Sequence, residues 1–160
     1  QMKASTIHEL KAELEHFSQP DLMALCLRMA RFKKENKELL TYLIFMGHDE
    51  QAFVESIKAE MDAQFIEIPT DHNLYFVKKS VRKILRITNK FIRYSGDRTT
   101  AVTLLLYFCS KLKESGIRME ESAALTNLYA LQQSKIEKML PLLHEDLQYD
   151  FRKEMDRLGS

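Results

Sequence analysis

Residues 74–94 carry cations along one side of a helix and apolar side chains along the other. At 100° per residue, seven cations fall within a sector roughly 140° wide. They are Lys78, Lys79, Arg82, Lys83, Arg86, Lys90 and Arg93. The opposite side holds Val77, Val81, Ile84, Leu85, Ile87, Phe91 and Ile92. This arrangement predicts a long amphipathic helix whose apolar side lies in a core.

The rest of the chain repeats the helical period between few breaking residues. Four Gly and three Pro among 160 residues, with 45% hydrophobic residues, favour helices over strands and turns. We predict an all-α protein whose helices cover about 5–17, 18–32, 34–46, 49–65, 74–94, 99–115, 120–140 and 142–158. The second and third could also form one long helix. Residues 1–160 are then one domain of about seven to eight antiparallel helices, arranged as a compact bundle or as a short superhelix of stacked helical hairpins.

The apolar positions predict which side chains form the core. The run 101–109 is apolar nearly all round, so its helix is expected at the centre, with Leu104, Leu105, Phe108, Cys109 and Leu112 buried. Met and aromatic residues at helical spacing also predict core positions, with a groove for a partner as the alternative. They are Met23, Met29, Phe32, Tyr42, Phe45 and Met46. Cys26 and Cys109 both lie in apolar runs and are expected to be buried, reduced thiols, with a disulfide between them as the alternative.

The cations of 78–93 form the one candidate functional surface. Their spacing alternates between four and three residues, so that a row of them could follow a phosphate backbone. The predicted binding residues for an anion or partner are Lys79, Arg82, Lys83, Arg86, Lys90 and Arg93. Tyr75 and Asn89 fall in the same sector. A solvated face is the simpler alternative, and the carboxylates of Asp146, Asp150 and Glu154, at i, i+4 and i+8, offer a counter-charge within the chain.

No motif indicates catalysis, a metal or a cofactor. The five histidines lack the H-x-x-x-H spacing, and the glycines build neither G-x-x-x-x-G-K nor G-x-G-x-x-G. We therefore predict a protein that is not an enzyme and has no cofactor and no metal, although folding could still assemble a catalytic site. The N-terminal residues lack the apolar core of a signal peptide, and no apolar run could span a bilayer, so a cytoplasmic protein away from membranes is expected.

Three stretches of the chain have the pattern of charged amphipathic helices. They are Phe32–Leu40, Val77–Arg86 and Leu143–Asp150. Together they resemble an uncharacterised family of small all-helical bacterial proteins, and the resemblance spans nearly the whole chain. It implies a small bacterial helical domain and no particular activity.

The predicted function is a helical interaction module that presents residues 78–93 to an anionic partner, either an acidic protein or a nucleic acid. The alternative is a structural or self-associating domain whose basic and acidic faces pair within or between subunits, which would include a homo-oligomer.

Overall fold

The protein is all-α. A computed structural model describes residues 2–70 and 73–159, and every regular element within them is a helix. The α-helices are α1 Ile7–Leu14, α2 Gln19–Phe32, α3 Lys34–Thr41, α4 Glu50–Ile66, α5 Leu74–Ser95, α6 Arg98–Glu114, α7 Ala123–Met139 and α8 Glu145–Gly159. A π-helix covers Tyr42–Met46, and short 3₁₀ turns cover Met119–Glu121 and Leu140–Leu142. The predicted fold class and helix number are confirmed.

Local side chains explain where the helices begin. Thr6, Ser18, Asp49, Asn73, Asp97 and Ser122 each precede a helix and accept a hydrogen bond from a backbone N–H of its first turn. Lys33 has an extended backbone (φ −142°, ψ 149°), which separates α2 from α3. The second and third predicted helices are therefore two elements rather than one.

The chain divides into two compact units, Gln1–Phe45 and Met46–Ser160. The prediction that residues 1–160 form one domain stays a prediction. In the second unit α4, α5, α7 and α8 all pack against α6. Nine residues of α6 are buried, and they include the five predicted ones, Leu104, Leu105, Phe108, Cys109 and Leu112. The central position of this helix follows from its nearly uniform apolar surface.

The first unit has a small core. Its packed helix pair is α2 with α3, and the only buried residues among those described up to residue 45 are Ala30 and Tyr42. The predicted burial of Met23, Met29, Phe32, Phe45 and Met46 is wrong, since these side chains are 43–77% exposed. Cys26 is also exposed, whereas Cys109 is buried as predicted. The helical period places these side chains on apolar faces of their helices. The first unit has only three short α-helices among its described residues, which are too few to cover those faces.

Candidate polyanion-binding face

Helix α5 is fixed in the second unit through its apolar side. The Asn73 side chain accepts a hydrogen bond from Tyr75 N at 2.8 Å, which caps the first turn. Gly96, with a left-handed φ of 68°, ends the helix as its C-cap. Four residues spaced along one side are buried against α4 and α6, namely Val77, Val81, Ile84 and Thr88. The opposite side of α5 must therefore face outward.

The outward side is the basic face, defined as Lys79, Arg82, Lys83, Arg86, Lys90 and Arg93. All of these side chains are exposed except Lys90, which is half-buried. The row from Lys79 to Arg93 rises 14 residues, or about 21 Å at 1.5 Å per residue. That length matches about six phosphates of one nucleic-acid strand at 3.4 Å each.

Five of the six cations of the basic face are not neutralised by the described part of the chain. Within residues 2–70 and 73–159, the cations Lys79, Arg82, Lys83, Arg86 and Arg93 form no ion pair. The sequence had also suggested that carboxylates of the same chain could neutralise the basic face. Asp146, Asp150 and Glu154 are all exposed on α8, which packs against α6 and the 3₁₀ turn Leu140–Leu142. The two charged rows therefore both face solvent.

Aromatic side chains stand at the N-terminal end of the basic face. Tyr75 and Phe76 are 55% and 60% exposed, and their ring centroids lie 5.3 Å apart, edge to face. Lys79 Nζ lies 5.8 Å from the centroid of the Tyr75 ring. Tyr75 was expected in this sector, but Phe76 was missed, although its position one residue later in the first turn could have indicated it. Exposed rings beside cations provide stacking surface for bases.

A cleft of about 240 Å³ lies beside the basic face, between the end of α4 and α5. Its lining residues are Gln64, Glu67, Ile68, Ser80, Lys83 and Ile84. Glu67 is the one carboxylate among these lining residues, and its side chain is exposed. Glu67 and Lys83 line the same cleft, so a polyanion that entered it would be repelled by the Glu67 carboxylate.

A carboxylate anchors the C-terminal end of α5. Glu50 Oε2, at the start of α4, accepts a hydrogen bond from Ser95 Oγ and another from Thr100 Oγ1, the latter at 2.6 Å. One acceptor thus joins the first turn of α4 to the end of α5 and the start of α6. Sequence reasoning missed this contact, because Glu50 lies 45 and 50 residues from its partners.

A second polar cluster links α4 and α6 through Tyr107. Its hydroxyl donates to Asp62 Oδ1 at 2.6 Å, and Lys111 Nζ lies 3.3 Å from the same oxygen. Burial and the adjacent carboxylate raise the pKa of Tyr107 to about 12. Because the Tyr107 hydroxyl keeps its proton, it acts as a hydrogen-bond donor that joins α6 to α4. Its acceptor, Asp62, belongs to the same chain, so this cluster has a structural role.

Metal-ligand geometry is absent from the part of the chain that the structure describes: no three His, Cys, Asp or Glu side chains converge there. His72 lies outside the described residues. The expectations that the protein binds no metal or cofactor and is not an enzyme stay predictions. None of the helices in the described ranges combines the length and apolarity needed to cross a bilayer. A cytoplasmic location stays a prediction.

Comparisons with known proteins add no family. No protein-family model matches the chain, and no match was found among curated proteins or solved structures. The chain is a small all-helical protein, and its resemblance to an uncharacterised bacterial family stays a prediction.

Proposed function

We propose that this protein is a non-enzymatic helical interaction module that binds a single-stranded nucleic acid on the basic face of α5. The observation that carries the proposal is a set of five exposed cations that form no ion pair with any described residue and lie opposite the buried side of the same helix. They are Lys79, Arg82, Lys83, Arg86 and Arg93. Like charges one turn apart disfavour an isolated helix by a few tenths of a kcal/mol per pair. An anionic ligand would relieve that repulsion and release its own counterions.

The exposed aromatic rings favour a nucleic acid over an acidic protein. Tyr75 and Phe76 continue the basic face beyond Lys79, within its first turn. Stacking of a base on an aromatic ring contributes about 1–3 kcal/mol and tolerates any base sequence. Carboxylates of an acidic protein would gain nothing comparable from these rings. The expected binding is therefore independent of sequence and strongly dependent on salt.

The salt dependence gives the test. The calculation takes the five exposed cations of the basic face, which exclude the half-buried Lys90. If each neutralises one phosphate, the logarithm of affinity should fall with the logarithm of salt concentration with a slope of about −3.5. Affinity would then drop about 100-fold between about 50 and 200 mM NaCl. Fluorescence anisotropy with a labelled oligothymidylate of about 12 nucleotides measures this.

Two triple variants distinguish the effect of the basic face on binding from the effect of the protein's net charge. Lys83→Gln, Arg86→Gln and Arg93→Gln together should reduce the slope to about −1.4. The control set, Lys135→Gln, Lys138→Gln and Arg152→Gln, removes three exposed cations of α7 and α8 and should leave the slope unchanged. Equal effects from the two sets, or no binding at low salt, would refute the proposal. Binding of polyglutamate with a steeper slope than the oligonucleotide would instead identify an acidic protein as partner.

A further inference from the structure

Helix α1 has an apolar face that its own unit leaves partly open. The capping box between Thr6 and Glu9 starts the helix, with Glu9 N to Thr6 Oγ1 at 3.1 Å. Its apolar face is Ile7, Leu10, Leu14 and Phe17, which are 81%, 46%, 40% and 42% exposed. Residues 7–14 are all described, and none of them is buried. A short helix with an open apolar side is marginal in water, so this face requires a partner.

Helix α2 also has an exposed apolar face, against which the apolar face of α1 could pack. Its Cys26 and Ala30 side meets Leu39, Leu40 and Leu43 around a cavity of about 180 Å³. A second side holds Leu25, Met29 and Phe32, with Met29 and Phe32 64% and 77% exposed. These three residues, with Arg28 and Asn36, line a groove of about 270 Å³. This groove can receive another helix.

The two faces have the same spacing in opposite directions. Along α1 the apolar residues advance by three and then four, from Ile7 to Leu10 to Leu14. Backwards along α2 they also advance by three and then four, from Phe32 to Met29 to Leu25. Antiparallel helices would therefore bring together Ile7 with Phe32, Leu10 with Met29, and Leu14 with Leu25 in successive layers.

The charges beside these faces agree with the same register. Glu13 on α1 and Arg28 on α2 each lie roughly 70–80° to the same side of their apolar face. Antiparallel packing brings equivalent sides together, so the two would meet at one level. Neither residue forms an ion pair with any residue in 2–70 or 73–159. On the other side, Lys11 would face the side of α2 that holds Cys26 and Ala30, where the residues around the cavity are uncharged.

We infer that α1 packs in the α2 groove of a second copy of this chain, so that two copies exchange their N-terminal helices. Packing within one chain is not what the structure shows. Hydrogen bonds from His16 N to Glu13 O and from Phe17 N to Leu14 O continue the winding of α1 up to the Ser18 cap. Within one copy, the apolar face of α1 is left 40–81% exposed.

The area available suits a stable dimer. From the exposed fractions of the two faces, each copy would bury about 700 Å², or about 1,400 Å² in total, within the usual range of specific interfaces. The same patch serves both copies, as a two-fold symmetric contact requires. An unrelated partner would need to reproduce both the spacing and the charge, whereas a second copy supplies them without further assumption.

Light scattering coupled to gel filtration of the full chain tests the dimer. Wild type should have twice the mass of the chain, and Leu10→Asp should raise the dissociation constant at least about 100-fold. Glu13→Arg or Arg28→Glu alone should each raise it about ten-fold at low salt, because a symmetric dimer contains the pair twice. The two together should restore it. Lys11→Glu is the matched control and should have no effect. A wild-type monomer at all concentrations would overturn the proposal.

A disulfide test distinguishes packing between chains from packing within one. Leu14→Cys and Leu25→Cys are combined in a Cys26→Ala background, and the oxidised protein is run on a non-reducing gel after circular dichroism has shown that it is helical. The expected product is a covalent dimer, which neither single cysteine variant forms. An internal disulfide in a monomer would overturn the exchange, as would a dimer by light scattering that shows no cross-link.

Discussion

Truncating a fully buried leucine of α6 tests whether this helix is the centre of the second unit. Leu104 is 0% exposed. Leu104→Ala removes about three methylene equivalents, which lose about 2.4 kcal/mol of transfer free energy at 0.8 kcal/mol each. If about 60 Å³ of the vacated space stays open, the cavity adds about 1.4 kcal/mol at 24 cal/mol per Å³. The free energy of unfolding should fall by about 2.5–4 kcal/mol.

Urea denaturation followed by circular dichroism at 222 nm measures this loss. A drop of this size lowers the melting temperature by about 8–15 °C in a chain of this length. Leu131→Ala is the control, because Leu131 is 55% exposed on α7 and its truncation should cost less than about 1 kcal/mol. Equal losses in the two variants, or a loss below about 1 kcal/mol at Leu104, would refute the central position of α6.

Two further predictions concern polar groups inside the second unit. Gln132 is buried, and its Oε1 atom finds no hydrogen-bond donor among the described residues, so Gln132→Met should raise the free energy of unfolding by about 1 kcal/mol; a loss in urea denaturation would contradict this. Tyr107, whose pKa is raised to about 12, keeps its proton in the folded protein at pH values where the unfolded phenol, with a pKa of 10.0, has lost it. The contribution of Tyr107 to the free energy of unfolding is complete below pH 10 and is lost as the pH rises towards 12. The wild type should therefore lose more stability over that interval than Tyr107→Phe. Parallel curves of stability against pH for the two proteins would contradict this assignment.

Local chemistry accounts for the parts of the fold that the sequence predicted well. Ser18 and Asp49 cap helices because each side chain reaches a backbone N–H three residues ahead. Gly96 ends α5 because it adopts a left-handed backbone without steric cost. Such contacts span a few residues and need no knowledge of the rest of the molecule.

The sequence predicted which side of α5 is exposed, but it did not predict which residues of other helices lie beside that side. The period of α5 alone put Arg86 and Lys83 opposite Val81 and Ile84, and the structure has the first pair exposed and the second buried. The Glu67 beside the cleft could not be read from the sequence. It comes from another helix, and nothing in the local pattern indicates which helices become neighbours.

The amino-acid sequence by itself determined the helices, their ends and the apolar or basic character of each face, because these depend on side chains within one or two turns. Only the tertiary structure decided which apolar faces are covered. Leu104 and Met29 both lie on apolar helix faces, yet the first is 0% and the second 64% exposed. Periodicity shows that a face gains free energy from burial, whereas burial itself depends on whether another helix is present to pack there. Within the described residues, α6 packs against α4, α5, α7 and α8, whereas the main packing partner of α2 is α3.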